Sequence, residues 1–218
     1  LLQPAIARLR SDKLNDDVVG ALLELSCGIN QHLQKVSMGA LLIINGLFEA
    51  IDEQIEPLVH QFIRYLGHAM KLDNSDQSVS RFACGMVSDL CNSLKGSMAP
   101  HLDTFVGDLL SILEDRQFET EAKLHALVAV GDLCLVTEQE FYKHLDKTQV
   151  SFCEAARSSL QQGADEEQNS MLQALRVSLI DGYLSLLHGF SPEHHQEGHS
   201  FAYGASGPQQ VIIDALTN

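Results

Sequence analysis

The sequence predicts an all-α protein, a solenoid of antiparallel helix pairs. Three observations support this prediction: two motifs recur with one period of 43 residues, apolar residues follow helical spacing, and no segment alternates with the period of a strand. Because one helix pair cannot bury its apolar stripes alone, successive pairs are expected to stack into an α-α superhelix with a curved surface.

The repeat period is carried by two short motifs. The tripeptide Asp-Leu-Cys at 89–91 recurs at 132–134, which is 43 residues later. The tripeptide His-Leu-Asp at 101–103 recurs at 144–146 with the same offset of 43. Two motifs in phase are much harder to obtain by chance than one short match, so they indicate a true internal repeat.

Each period contains two amphipathic helices, as Leu102, Phe105, Val106 and Leu109 illustrate with their i, i+3, i+4, i+7 spacing. We expect a leading helix over 1–10, pairs at 15–30 with 33–51, 55–72 with 77–95, 99–114 with 119–137 and 140–162 with 168–190, and a last helix from Pro208. The chain then divides as one solenoid over 1–218: a partial repeat 1–14, repeats 15–52, 53–96, 97–138 and 139–190, and the start of another at 208–218. The helical opening without Met suggests a fragment of a longer protein.

The charge balance bears on the kind of partner. The chain has 29 acidic against 14 basic residues and a net charge of −15. Nucleic-acid binding is not expected, because phosphates require clustered Lys and Arg. A basic partner is the natural complement, although an acidic surface that only maintains solubility explains the same charge. No apolar run reaches the length of a membrane span, so no membrane partner is expected.

Nothing in the sequence predicts an enzyme, a metal site or a cofactor. The five cysteines contain no Cys-x-x-Cys pair, which argues against a zinc site. His194, His195 and His199 cluster in the polar stretch 191–207 without a fixed partner. There is no Gly-rich phosphate loop. The His-Leu-Asp motif recurs in two successive periods, whereas a catalytic constellation would be unique.

Three segments in order resemble HEAT repeats from the C-terminal half of the importin-β (karyopherin-β1) family of nuclear import receptors. They are CGMVSDLCNSLKGSMAPHLDTFVGDLLSIL (84–113), VAVGDLCLVTEQEFYKHLD (128–146) and LRVSLIDGYLSLLHGF (175–190), and the resemblance extends over essentially the whole chain. A different HEAT-repeat scaffold, of the phosphatase or condensin type, is the alternative.

The resemblance implies function as well as fold. It implies a receptor that shuttles between cytoplasm and nucleus and has no enzymatic activity. A basic segment of the importin-α adaptor, or basic cargo, would lie on its acidic inner face. Phe-Gly nucleoporins would insert between neighbouring outer helices, and Ran-GTP would bind mainly outside this fragment.

Candidate residues for the basic segment are acids that would line the inner face if the second helices of the pairs form it: Glu49, Asp52, Asp89, Glu121, Asp132 and Asp181. The alternative for the acids at 89, 132 and 181 is a structural ladder, in which they pair with Arg81, Lys123 or Arg176 of neighbouring repeats. For the acids at 49 and 52 the alternative is ordinary solvated surface.

Candidate residues for Phe-Gly binding are apolar residues of two successive first helices, since a Phe ring needs a shallow apolar slot. They are Leu58, Phe62 and Leu66, with Phe105, Leu109 and Ile112. The alternative is that they are core residues, because a wide apolar stripe does not reveal which positions are exposed.

Overall fold

The computed structural model describes residues 63, 66–67, 69–71, 77–160 and 165–190, and every regular element in these ranges is helical. The elements are α1 (Ser78–Leu94), η1 (Lys95–His101), α2 (Leu102–Glu114), α3 (Thr120–Thr137), η2 (Glu138–His144), α4 (Leu145–Ser159) and α5 (Glu166–Gly189), where η marks a 3₁₀ segment. The all-α prediction is therefore confirmed. The predicted helices before residue 55 and after Pro208 lie outside the described residues.

The starts of the first helices differ from the sequence prediction. The sequence predicts α-helix from residues 99 and 140, but the 3₁₀ segments η1 and η2 occupy these positions. Each begins at a non-glycine residue with positive φ, Lys95 at 47° and Glu138 at 44°. The tight 3₁₀ turns then bury Met98 and Phe141 completely. The same turn is thus used in two successive repeats, 43 residues apart.

The second helices α1, α3 and α5 form one layer with α3 in the middle. The α3–α5 and α1–α3 contacts are the most extensive in the described chain, and α2 and α4 pack behind this layer. Two glycines permit the close approach of α5 to α4 and α3. A Cβ at Gly182 would lie 2.8 Å from the Phe152 ring, and one at Gly189 would lie 2.8 Å from Cys134 Sγ. Even an alanine would therefore force these helices apart.

A side-chain bridge holds the starts of α1 and α3 together. Gln77 precedes α1, and its amide nitrogen donates to the Gln117 carbonyl oxygen at 2.7 Å. The Glu119 backbone N–H, immediately before α3, donates to Gln77 Oε1 at 2.6 Å. One amide side chain therefore satisfies two backbone groups of the next repeat's turn, which fixes the register of the two second helices.

Ion pairs also join successive repeats on the side of the first helices. Asp103 of α2 accepts from Lys143 Nζ at 2.6 Å and lies 2.8 Å from His144 Nε2. Lys71 lies 2.6 Å from Asp108 Oδ1. The recurring His-Leu-Asp motif is explained in part by this geometry, because the aspartate of one repeat pairs with the histidine of the next.

Within the described ranges, no helix is both long and apolar enough to cross a membrane.

Candidate binding surface

The predicted acids of α1, α3 and α5 lie on the exposed side of the second-helix layer. On α3, one strip runs through Glu121, His125, Val128, Asp132 and Leu135, spaced as i, i+4, i+7, i+11 and i+14. The other sides of α3 pack against α1, α5 and α2. We call the exposed side of α1, α3 and α5 the second-helix face.

Three recurring aspartates lie on this face. Asp89 of α1 and Asp181 of α5 are exposed, and Asp132 of α3 is half-buried. Burial raises the pKa of the Asp132 carboxyl, and the neighbouring Ser88 hydroxyl of α1 partly offsets that rise. A carboxylate kept partly out of water binds a cation more strongly than a fully solvated one, because the effective dielectric is lower.

Two of the bases expected to form the structural ladder are engaged elsewhere. Arg81 of α1 pairs with Glu121 of α3. Arg176 of α5 donates from Nε to the Ser159 carbonyl oxygen at 3.0 Å, which joins α5 to the end of α4. The ladder interpretation therefore applies to Glu121, whose carboxylate joins two repeats. Glu121 therefore forms an inter-repeat contact, and its role in partner binding stays a prediction.

The candidates for Phe-Gly binding that the structure describes lie in the core. Leu66, Phe105 and Leu109 are fully buried, and Ile112 is 2% exposed. They pack in one continuous apolar cluster, which agrees with the alternative interpretation of these residues as core. The remaining candidates, namely Glu49, Asp52, Leu58 and Phe62, lie outside the described residues.

Exposed apolar residues flank two of the aspartates and were not among the candidates predicted from the sequence. Val128 and Leu135 are 39% and 38% exposed on either side of Asp132. Val177 and Leu184 are 53% and 46% exposed on either side of Asp181. The signal was present, because the pattern Val-x-x-x-Asp-x-x-Leu occurs at both 128–135 and 177–184. On α1 the corresponding residues are Gly85 and Asn92, so among the second helices that the structure describes, α3 and α5 combine an acid with exposed apolar side chains and α1 does not.

In the part of the chain that the structure describes, the possible metal ligands are dispersed and three cysteine thiols are buried. Among the described residues, no group of three or more His, Cys, Asp or Glu side chains is placed to hold a metal ion. Burial raises the pKa of the Cys84 thiol to about 12, and it also raises the pKa values of Cys91 and Cys134. Since only the thiolate is nucleophilic, these thiols act as small apolar core groups.

Stacked helix pairs with an extended acidic and apolar face define a class of protein: the α-α superhelical repeat proteins, which bind partners along a surface. The profile of the importin subunit beta-1-like family, described as TPR repeats, matches residues 1–201. The chain belongs to this family.

Individual relatives agree with this assignment. Importin subunit beta-1 of Schizosaccharomyces pombe is 25% identical over 146 residues, which cover 67% of this chain and 17% of the relative. A structure of importin beta has a TM-score of 0.68 at 20% identity and covers 84% of this chain and 22% of its own.

Two complexes of Kap95 have similar folds. One with RanGDP has a TM-score of 0.67 and one with Nup1 has 0.66, each at 18% identity over 80% of this chain and 20% of theirs. The chain therefore spans about a fifth of the length of its relatives.

Proposed function

We propose that this chain is part of a nuclear import receptor and that its second-helix face binds a basic segment of an importin-α adaptor or of cargo. The observation that carries the proposal is the pair of Val-x-x-x-Asp-x-x-Leu surfaces on α3 and α5. Each offers a carboxylate between two exposed apolar side chains. Such a surface suits a partner that has basic and apolar residues on one side.

Family membership supports this function over that of a phosphatase or condensin scaffold. The net charge of −15 supports a basic partner, since opposite charge accelerates association and favours correct pairing. Transport between cytoplasm and nucleus follows from the same proposal. Ran is proposed as a partner of the whole receptor, because Kap95 is a structural relative solved with RanGDP.

The test is fluorescence anisotropy with a labelled Arg-rich helical peptide of about 20 residues. The Asp132→Asn/Asp181→Asn variant should bind roughly tenfold more weakly, since each half-exposed ion pair contributes about 0.5–1 kcal/mol. The control is Asp146→Asn/Glu154→Gln, which removes the same charge from exposed positions of α4 and should bind normally. Equal losses in both variants, or binding insensitive to salt, would contradict the proposal.

We also propose that the first-helix side binds Phe-Gly nucleoporins, since Kap95 is a structural relative solved with Nup1. The observation in favour is exposed apolar surface on this side, with Tyr142 49% and Val150 60% exposed. Val150→Asp should weaken binding of a Phe-Gly peptide. Val177→Asp, which places the same charge on the second-helix face, is the matched control and should leave that binding unchanged.

A further inference from the structure

A cleft opens where the second helices α1 and α3 end and their 3₁₀ segments begin. Its volume is about 660 Å³. Residues of α1 and η1 form one wall, and residues at the end of α3 and in η2 form the other. The cleft adjoins the second-helix face, because Leu135 belongs to both.

The charges around the cleft favour a cation. Glu138 and Glu140 line the α3 side, and Lys95 is the one basic side chain of the lining. The C-terminal ends of α1 and α3 both lie at the cleft, and a helix C-terminus carries about half a negative charge on its unpaired carbonyl groups. The negative charge of the two carboxylates and the two helix ends therefore exceeds the positive charge of the one ammonium group.

The walls define what kind of cation fits. Leu135, Val136 and Ala99 supply apolar surface for an aliphatic stem. The Thr137 hydroxyl already donates to the Leu133 carbonyl oxygen at 2.7 Å, so it is not available to an anionic ligand. Carboxylates and helix-end carbonyls are acceptors that match the several N–H donors of a guanidinium group.

The backbone at the rim is unusual on both sides. Lys95 and Glu138 line opposite walls, and both are non-glycine residues with positive φ, at 47° and 44°. Such conformations cost about 1–3 kcal/mol and persist only where the surrounding structure enforces them. Here they end α1 and α3 abruptly and leave the cleft between two successive repeats open.

We propose that this cleft is the anchoring subsite for one arginine side chain of the bound basic segment. The inference rests on the proposed function, because the second-helix face would bring the segment to the cleft. The guanidinium would pair with Glu138 and Glu140, and its aliphatic stem would lie on Leu135. Arginine is preferred to lysine because its planar fork can satisfy two acceptors at once.

The test combines affinity with a local probe. Binding of the labelled Arg-rich peptide is measured for the 218-residue chain and for Glu138→Gln/Glu140→Gln, with Glu119→Gln/Glu154→Gln as the charge-matched control. In the same titration, ¹H–¹⁵N spectra follow the Gly96 amide and the Asn92 side-chain amide, which lie in the cleft. We expect about three- to tenfold weaker binding only for the cleft variant. The chemical-shift changes that the peptide induces at the Gly96 and Asn92 amides should be lost in that variant.

Two further arms make the result specific. Lys95→Gln removes the opposing charge and should tighten binding about two- to threefold, a gain that a misfolded variant would not give. A peptide with every arginine replaced by lysine should shift Gly96 less. If Glu138→Gln disturbs folding by circular dichroism, Glu140→Gln alone, at an exposed position, replaces the double variant.

The outcomes separate the two proposals. If the cleft variant binds as the unmodified chain while Asp132→Asn/Asp181→Asn is weakened, the cleft proposal is overturned and the proposed function stands. If the unmodified chain does not bind the peptide, both fail. Shifts at Gly96 and Asn92 that disappear only in the cleft variant support both.

Discussion

Arg81 of α1 and Glu121 of α3 form a salt bridge across two successive repeats, on the side where the basic segment is proposed to bind. The pair neutralises two charges of the second-helix face at its N-terminal end. The recurring aspartates lie further along the helices, so the acid of the salt bridge and the acids proposed to bind a partner are separated along one surface. The Asp132 and Asp181 positions are therefore the informative ones for partner binding.

The Arg81–Glu121 pair should contribute little to stability, because the two side chains are 42% and 38% exposed. We expect Glu121→Gln to lower the free energy of unfolding by about 0.5 kcal/mol in urea denaturation. A double-mutant cycle with Arg81→Gln isolates the pairing energy. A coupling energy near zero would mean that the bridge plays no part in holding the two repeats together.

Gly182 should be intolerant of alanine. Its Cβ would lie 2.8 Å from the Phe152 ring, so we expect Gly182→Ala to destabilise the fold by about 1–3 kcal/mol. Gly107→Ala is the matched control, because Gly107 lies inside α2 with nothing within 4 Å of its Cβ. There the higher helix propensity of alanine should stabilise by about 0.5–1 kcal/mol. Equal effects in thermal unfolding would show that α5 does not approach α4 and α3 closely.

The ionised Asp132 carboxylate should lower the stability of the fold at neutral pH. Burial raises the pKa of its carboxyl in the folded state, so the folded state is disfavoured when the group is ionised. As pH falls through the folded-state pKa, this penalty disappears. Asp132→Asn should therefore be more stable than the unmodified chain at pH 7, with the difference vanishing below about pH 4. The same variant should bind the basic peptide more weakly, so stability and binding would change in opposite directions.

Asp103 should show the opposite pH dependence. Hydrogen bonds from Lys143 and His144 lower the pKa of its carboxyl, so ionised Asp103 favours the folded state. That contribution is present above the unfolded-state pKa and is lost as pH falls through the lowered folded-state pKa. Asp103→Asn should be less stable than the unmodified chain at pH 7 and equal to it in strong acid. Unfolding curves for both variants over roughly pH 2–8, a range that includes the pKa of a free carboxyl, show whether the two pH dependences have opposite sign.

The repeat spacing should select the register of the bound segment. Packed helices lie about 8–10 Å apart, so successive aspartates recur at about that interval. A helical partner rises 1.5 Å per residue and returns to the same face after about seven residues, which is close to 10 Å. A peptide with arginine at every seventh position should bind more tightly than one of equal composition with arginine at every fifth. Equal affinities would indicate binding by net charge alone.

Local pattern was enough to predict the helices and their order. Apolar spacing placed α1 over 77–95 and α3 over 119–137, close to the observed Ser78–Leu94 and Thr120–Thr137. It failed at η1 and η2, where the non-glycine residues Lys95 and Glu138 have positive φ, a conformation that local sequence does not predict for them. The division of the chain into repeats stays a prediction from the period.

The sequence by itself determined the repeat, the helix pairs and the resemblance to the importin-β family, because these depend on local spacing and on order along the chain. Only the tertiary structure decided that Glu121 pairs with Arg81, that Phe105 is core, and that Val128 and Leu135 are exposed beside Asp132. The physical reason is that a residue can recur at one position of the repeat because it stacks the repeats or because it binds a partner. The two kinds of recurrence look the same in the sequence. Exposure and pairing arise between helices, and they become visible only when neighbouring repeats are packed together.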